Sequence, residues 1–320
     1  MKDNHRETIQ PVSGTVVPRY AGPSTFARLP ELRDVEHCDV AILGIPFDSG
    51  TSYRPGARFG PQAIRQASRH LRTTYHPDYD VEPFKALQAA DAGDVSCNPY
   101  NIAEAIAQIE QAADDLSGRV GSIVSLGGDH TIALPLLRSI NKKCGGPVAL
   151  VHFDAHLDTW DTYFNAPFTH GTPFRRAAEE SLFIEGHSMH VGIRGPLYST
   201  KDLANDKELG FKTIHCQEFE TKGVEHVVEK IRKRVGEKPL YLSIDIDVLD
   251  PAHAPGTGTP EIAGMTTREL VGVFRGLHGM DIIGADIVEV APAYDHAEIT
   301  SLAAATAAYE MINLFAVSGR

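Results

Sequence analysis

The chain has 320 residues and a formal charge of −12 at pH 7, with 42 acidic against 30 basic residues. This charge offers no basic field to nucleic acid or to an anionic membrane surface, and it attracts small cations. No apolar run reaches the roughly 20 residues of a membrane span, the N-terminus is not signal-like, and the four cysteines are scattered. We therefore expect a cytoplasmic protein that binds neither nucleic acid nor membrane.

The order of apolar runs and helical periods predicts the fold. Residues 1–35 contain Pro, Gly and Arg without periodicity, which predicts an N-terminal arm before one domain over residues 36–320. Apolar runs typical of buried strands then alternate with segments of helical period. The predicted strands are Val40–Ile45, Leu87–Ala90, Ser122–Leu126, Ala149–Phe153, Met189–Ile193, Lys212–His215, Leu240–Ile246 and Asp281–Ile287. The predicted helices are Ile102–Leu116, Thr131–Ile140, Val224–Val235, Thr267–Leu277 and Ser301–Leu314.

Strands that alternate with helices indicate a mostly parallel sheet covered by helices on both faces. The sequence therefore predicts a single three-layer α/β/α domain with about eight strands. In such sheets the chemistry collects at the carboxyl ends of the strands.

Side chains of metal-ligand type follow three of these strands. One group follows Phe153 at a spacing of two residues, which in extended backbone would point its members the same way. A second pair has the same spacing at the end of Leu240–Ile246, and a histidine follows the flexible pair Gly127-Gly128. The six candidate ligands are His130, Asp154, His156, Asp158, Asp245 and Asp247.

A lone Asp-x-Asp pair at a strand end is more often a helix cap or an ion-paired edge. Four buried carboxylates together, however, repel each other unless cations neutralise them. Four oxygen-type and two nitrogen-type ligands suit two Mn²⁺ ions better than a thiolate-rich zinc site, with Ni²⁺ or Co²⁺ as alternatives. Two adjacent metals activate water, which predicts a hydrolase. His152 is expected to point away from Asp154, as a core or supporting histidine.

Six segments of the chain resemble the arginase/agmatinase ureohydrolase family, and its agmatinase-like members in particular. Three resemble the metal signatures in the family's order, namely Gly127–His130, Asp154–Asp158 and Ser243–Pro251. Three more, Tyr53–Pro61, Ala254–Pro260 and Val288–Pro292, extend the resemblance over nearly the whole chain. The resemblance implies an arginase-like fold assembled as a homotrimer or homohexamer, with the N-terminal arm packed across a neighbouring subunit.

The resemblance also implies a role for each ligand. One Mn²⁺ would be held by His130, Asp154, Asp158 and Asp245, and the other by Asp154, His156, Asp245 and Asp247. Water activated between the metals would attack the guanidinium carbon of a small guanidino substrate and release urea and an amine.

Three residues would handle protons and the substrate. Asp158 would help to move the proton of the attacking water, and Glu289 would pair with the guanidinium and orient it. His170 would shuttle a proton at the mouth of the site.

Substrate specificity is expected to lie in residues 159–169, with the sequence TWDTYFNAPFT. An arginase holds its substrate's α-carboxylate and α-amine with a polar loop, whereas this loop carries the aromatic Trp160 and Tyr163 and a single charge, Asp161. These three residues are predicted to bind the substrate, and Asp161 favours the amine of agmatine, which would be cleaved to putrescine.

The alternative substrate is a guanidino acid, either 4-guanidinobutyrate or 3-guanidinopropionate. Its carboxylate would need a cationic partner, which Arg72, Arg175 or Arg194 could supply. Arg54 and Arg58 are assigned to structure or to subunit contacts.

Two functions from other classes were weighed against the hydrolase. A metal-dependent deacetylase would use one zinc and fewer carboxylates, so the second Asp-x-Asp pair argues against it. A catalytically silent partner subunit would have lost ligands, and here every ligand is present.

Overall fold

In the computed structural model, which describes residues 7–318, strands and helices alternate along the chain. The strands are β1 (Val40–Ile45), β2 (Ala89–Asp94), β3 (Ser122–Gly127), β4 (Ala149–Phe153), β5 (Ser188–Ile193), β6 (Phe211–His215), β7 (Leu240–Asp245) and β8 (Ile282–Val288). The α-helices are α1 (Gly60–Ala67), α2 (Pro83–Ala86), α3 (Ile102–Ser117), α4 (Ala133–Cys144), α5 (Pro173–Glu179), α6 (Asp202–Glu208), α7 (Gln217–Val235), α8 (Thr267–Gly276) and α9 (Ile299–Ser318).

The eight strands form one sheet in the order β2-β1-β3-β8-β7-β4-β5-β6, and every strand pair is parallel. Strands buried on both faces read as continuous apolar runs, as β1 does with the sequence VAILGI. The predicted α/β/α architecture is confirmed. Because the strands are parallel, the residues that follow β3, β8, β7 and β4 emerge side by side at one edge of the sheet.

The hydrophobic core lies in two layers, one on each face of the sheet. Val40 and Ile42 of β1 face the layer that includes α1, α7, α8 and α9, whereas Ala41 and Leu43 face the layer that includes α3 and α4. By length and composition α9 is apolar enough to cross a membrane, but 72% of its most apolar window is buried inside the fold. It packs against α1, α2, α8 and β8 as a core helix.

Most predicted elements are found within a few residues of their expected ends, but four helices were not predicted. These are α1, α2, α5 and α6, each of eight residues or fewer, which is too short to display a helical period. The helix α7 begins seven residues earlier than predicted and contains the non-helical Gly223, with φ of 79°. This glycine interrupts the periodicity on which the prediction rested.

Where it is described, the N-terminal arm packs against its own chain. Phe26 and Leu29 are buried in the same core layer as α1, and the backbone N–H of Ile9 donates to Oε1 of Gln88. The first six residues of the predicted arm and the last two of the predicted domain lie outside the described residues. The predicted packing of the arm across a neighbouring subunit stays a prediction.

Candidate metal centre

Four adjacent central strands bring the candidate ligands to one place. His130 follows β3, Glu289 follows β8, Asp245 ends β7 and Asp154 follows β4. Because these carboxyl ends lie at one edge of the sheet, residues far apart in sequence converge there. The six side chains predicted as metal ligands do meet at this edge.

Within this cluster, the ligand atoms form two groups that share Asp154. Nδ1 of His130 lies 3.3 Å from Oδ2 of Asp154, 3.0 Å from Oδ2 of Asp158 and 3.3 Å from Oδ2 of Asp245. Nδ1 of His156 lies 3.2 Å from Oδ1 of Asp154 and 3.1 Å from an oxygen of Asp247. The two oxygens of Asp154 thus face different histidines, as a carboxylate bridging two cations requires.

The hydrogen bonds of His130 indicate which of its nitrogens is free to bind a cation. Oγ of Ser243 donates to Oδ1 of Asp286 at 2.7 Å, so this hydroxyl can accept the Nε2–H of His130, 2.8 Å away. The opposite nitrogen, Nδ1, is buried and makes no hydrogen bond within the described residues. The lone pair of Nδ1 and the three carboxylate oxygens that it faces repel one another. A cation placed between them would turn this repulsion into attraction. This donor set fits a metal ion.

Without cations, the carboxylates of this cluster cannot all be ionised. Burial, followed by the charges of Asp247 and Asp154, raises the pKa of Asp245 well above its usual range. Burial and the charge of Asp154 likewise raise the pKa of Asp247 to about 6. Burial lowers the pKa of His130, but its contacts with Asp154, Asp158 and Asp245 outweigh that effect and raise it well above the usual value. The cluster therefore requires added positive charge, either as protons or as metal ions.

A turn, and not an extended strand, brings the ligands after β4 together. The strand ends at Phe153, and Asp158 has a left-handed backbone with φ of 53°. The expectation that extended backbone aligns these side chains is therefore wrong. Glu289, directly after β8, has φ of 65°, so two acidic residues of the site adopt a conformation that favours glycine.

His152 does not point away from Asp154. Its Nε2 lies 2.8 Å from Oδ2 of Asp154, and the histidine is fully buried. Residues two apart on a strand share a face, so the predicted direction was wrong. The interpretation as a supporting histidine fits this contact.

Glu289 and His170 lie together beside the ligand cluster. Oε1 of Glu289 accepts the backbone N–H of His130 at 2.9 Å and lies 3.2 Å from Nδ1 of His170. Its other oxygen, Oε2, is buried and has no partner among the described residues. Burial lowers the pKa of His170, but the hydrogen bond with Glu289 and the charge of that residue dominate and raise it to about 9. The raised pKa favours the protonated form of His170, which can donate a proton.

A cavity of about 570 Å³ opens above these groups. His156, Asp158, Asp245 and His170 contribute to its lining, so an enclosed small molecule would reach the ligand cluster directly. The outer lining includes Tyr53, Arg54, Trp160, Tyr163, Tyr198 and Glu261.

The predicted specificity loop contributes its aromatic residues to the cavity, but not its acid. The ring centroids of Trp160 and Tyr163 lie 5.8 Å apart, and both rings pack edge-on against Tyr198. Asp161 does not line the cavity, because its carboxylate pairs with Nη2 of Arg176 at 2.6 Å and its side chain is 66% exposed. Here the structure gives no support to the predicted contact between Asp161 and the substrate.

Arg54 is the arginine that lines the cavity. Its guanidinium carbon lies 5.2 Å from the ring centroid of Tyr294 and 5.8 Å from that of Tyr53, and no carboxylate of the described residues pairs with it. By contrast, Arg175 pairs with Glu179 and Arg194 donates to backbone carbonyls. The motif Tyr53–Pro61 drew attention to Arg54, but nothing in the sequence places its side chain.

The chain is similar to known ureohydrolases over almost its full length. Residues 38–313 match the sequence model of the arginase family. Guanidinobutyrase from Pseudomonas aeruginosa is 44% identical over 95% of this chain and 95% of its own. A mitochondrial agmatinase from Gallus gallus is 41% identical over 94% of this chain and 88% of its own.

A solved structure shows the same fold. Proclavaminate amidino hydrolase from Streptomyces clavuligerus superimposes with a TM-score of 0.90 at 38% identity, covering 94% of this chain and 99% of the other.

Proposed function

Because the chain belongs to the arginase family, we propose that it is a binuclear-manganese amidinohydrolase that cleaves a small guanidino compound to urea and an amine. The observation that carries the proposal is the lone pair of His130 Nδ1, which faces carboxylates from Asp154, Asp158 and Asp245. A second group around His156 argues against a deacetylase with a single zinc. The convergence of all six predicted ligands argues against a silent subunit.

The chain's own residues divide the chemical work. One cation would be held by His130, Asp154, Asp158 and Asp245, and the other by Asp154, His156, Asp245 and Asp247. Bound cations supply the positive charge that activates water and stabilises the transition state. The oxygen-rich ligand set favours Mn²⁺, and Ni²⁺ or Co²⁺ would occupy the same positions.

Three residues then guide the substrate and the protons. The free Oε2 of Glu289 accepts hydrogen bonds from the guanidinium and orients its carbon toward the ligand cluster. Asp158 takes the proton of the attacking water as the new C–O bond forms. His170 donates a proton to the leaving nitrogen as the C–N bond breaks, giving urea and a free amine.

Arg54 in the cavity lining supports a guanidino acid as the substrate. Agmatine and guanidino acids both suit the family, but Asp161, which favoured agmatine, lies outside the cavity, whereas Arg54 lines it without a carboxylate partner. Glu261 also lines the cavity and is the group that would receive the amine of agmatine. The planar guanidinium of Arg54, beside the rings of Tyr53 and Tyr294, can bind a carboxylate through two parallel hydrogen bonds. We therefore propose 4-guanidinobutyrate or 3-guanidinopropionate as the substrate, with agmatine as the second candidate.

A panel of guanidino compounds tests both the reaction and the substrate. With Mn²⁺-reconstituted protein, we expect urea release with a higher kcat/KM for the two guanidino acids than for agmatine or arginine. Arg54→Gln should lower kcat/KM for the acids about 10- to 100-fold, the effect of losing a charged hydrogen bond worth roughly 1.5–3 kcal/mol, and should spare agmatine.

The control is Arg33→Gln, which changes an exposed arginine remote from the cavity. A preference for the guanidino acids that survives in Arg54→Gln would show that Arg54 does not select the tail, and a preference of the wild type for agmatine would contradict the proposed substrate. No urea from any of the four compounds would contradict the proposed reaction.

The assembly and location of the protein are also proposals. The exposed aromatic side chains of Tyr53, Phe164 and Tyr198 support a subunit interface near the cavity entrance, within a homotrimer or homohexamer. Light scattering on the purified protein would measure its oligomeric state directly. The four cysteines form no disulfide, as expected in a reducing compartment, and we propose a cytoplasmic location.

A further inference from the structure

A line of buried polar side chains runs from the metal cluster to α6. Oδ2 of Asp154 lies 2.8 Å from Nε2 of His152, whose Nδ1 lies 2.7 Å from Nδ1 of His190. Nε2 of His190 in turn lies 3.0 Å from Oδ1 of Asp206. Each of the four side chains is at most 1% exposed, so no solvent can substitute for a missing contact.

The sheet and its aromatic neighbours hold the two histidines of this line in place. His152 of β4 pairs directly with His190 of β5, so their rings stand side by side on one face. His190 stacks on Phe211 with ring centroids 4.3 Å apart, and His152 lies 4.3 Å from Phe174. The rings cannot turn without displacing these neighbours.

The helix α6 also anchors the start of the specificity loop. Oδ1 of Asp206 accepts the hydroxyl of Thr159 at 3.0 Å, and Thr159 directly follows the ligand Asp158. One turn earlier in α6, Oδ2 of Asp202 accepts the indole N–H of Trp160 at 3.2 Å. Asp206 therefore contacts His190, in the line that leads to Asp154, and Thr159, which follows Asp158, whereas Asp202 contacts Trp160 and the backbone N–H of Ser199.

We propose that Asp206 is a positioning residue of the metal centre, which acts on Asp154 through His190 and His152 and on Asp158 through Thr159. The inference rests on the proposed function, because it concerns the geometry of the same metal ligands. Residues that support ligands from behind typically change metal affinity about 10- to 100-fold when they are removed. Loss of Asp206 frees both a histidine and a hydroxyl, so the bridging carboxylate loses its fixed orientation.

The test is a titration of metal-free protein with Mn²⁺, in which the EPR signal of the free ion is measured at each step. This readout gives the Mn²⁺ affinity and does not depend on turnover. Asp206→Ala should bind Mn²⁺ about 10- to 100-fold more weakly than wild type. Asp206→Asn keeps an oxygen acceptor, so its Mn²⁺ affinity should fall by less. It also tests the proposal if the alanine variant does not fold. Melting temperatures of the metal-free variants measure any purely structural effect.

Two controls lie on the same helix. Asp202→Ala should retain wild-type Mn²⁺ affinity while raising KM, because Asp202 holds Trp160 and the backbone N–H of Ser199 but no support of a predicted ligand. Glu208→Gln changes an exposed carboxylate and should alter neither quantity. Wild-type Mn²⁺ affinity in a folded Asp206→Ala, or an equal loss in Asp202→Ala, would overturn the proposal. Failure of the proposed function is seen separately, as wild-type protein that binds Mn²⁺ but releases no urea.

Discussion

Asp154→Asn is expected to remove nearly all turnover and to prevent the binding of two Mn²⁺ ions per chain. The two carboxylate oxygens of Asp154 face His130 and His156 separately, and an amide would replace one of them with an N–H₂ donor. Because metal ions contribute several kcal/mol of transition-state stabilisation, we expect kcat to fall by at least about 10³-fold. Mass spectrometry of metal content together with urea release measures both effects.

The matched variant is Asp247→Asn, which alters a carboxylate that faces His156 and, unlike Asp154, is assigned to one cation only. The loss of activity should be smaller and partly reversed by excess Mn²⁺, because Asp154 and Asp245, the two carboxylates assigned to both cations, stay intact. Circular dichroism of both variants checks that the fold is retained. Near-normal activity with two bound metals in Asp154→Asn would contradict the binuclear assignment.

His170→Asn is expected to lower kcat by about 10²- to 10⁴-fold, the usual effect of losing a general acid or base. His170 contacts Glu289 and Ser52 but none of the six predicted ligands, so the variant should still bind two Mn²⁺ ions. Asparagine retains a polar side chain of similar length while removing the titratable ring. Steady-state kinetics and metal analysis on the same preparation measure kcat and the Mn²⁺ content separately.

The dependence of the reaction rate on pH gives a second test of the role of His170 as a proton donor. Glu289 raises the pKa of His170 to about 9, so the protonated form is present at neutral pH and is lost as pH rises through that value. The alkaline limb of the wild-type rate profile should therefore be absent in His170→Asn. Loss of bound Mn²⁺ in this variant would instead make His170 a ligand.

That the metal ligands lie at one edge of the sheet was predictable, whereas the strand order that makes them neighbours was not. Apolar runs identify buried strands, and a parallel sheet must bring their carboxyl ends to one edge, so His130, Asp154 and Asp245 could be expected there. Their contact depends on the adjacency of β3, β8, β7 and β4, which the structure shows. Periodicity also located the ends of α3 and α8 to within one residue, and those of α9 to within four.

Side-chain direction in loops could not be predicted in this way. Asp161 was expected in the cavity because it is the loop's charge, yet Arg176 of α5, a helix too short to detect, pairs with it outside. Arg54 was assigned to structure, although its ring contacts place it in the cavity lining. His190 and Asp206 are isolated in sequence, and they reach the site through the pairing of β4 with β5 and, for Asp206, through Thr159.

The left-handed backbone at Asp158 and Glu289 sets stability against activity. Glycine adopts this backbone conformation without strain, whereas each non-glycine residue held there lowers the free energy of unfolding by on the order of 1 kcal/mol. Metal-free Asp158→Gly is therefore expected to melt at a higher temperature than metal-free wild type, while losing the group assigned to take the proton of the attacking water. Selection of variants for thermal resistance alone would drift toward an inactive enzyme at these two positions, and only a screen that also demands urea would retain the acids.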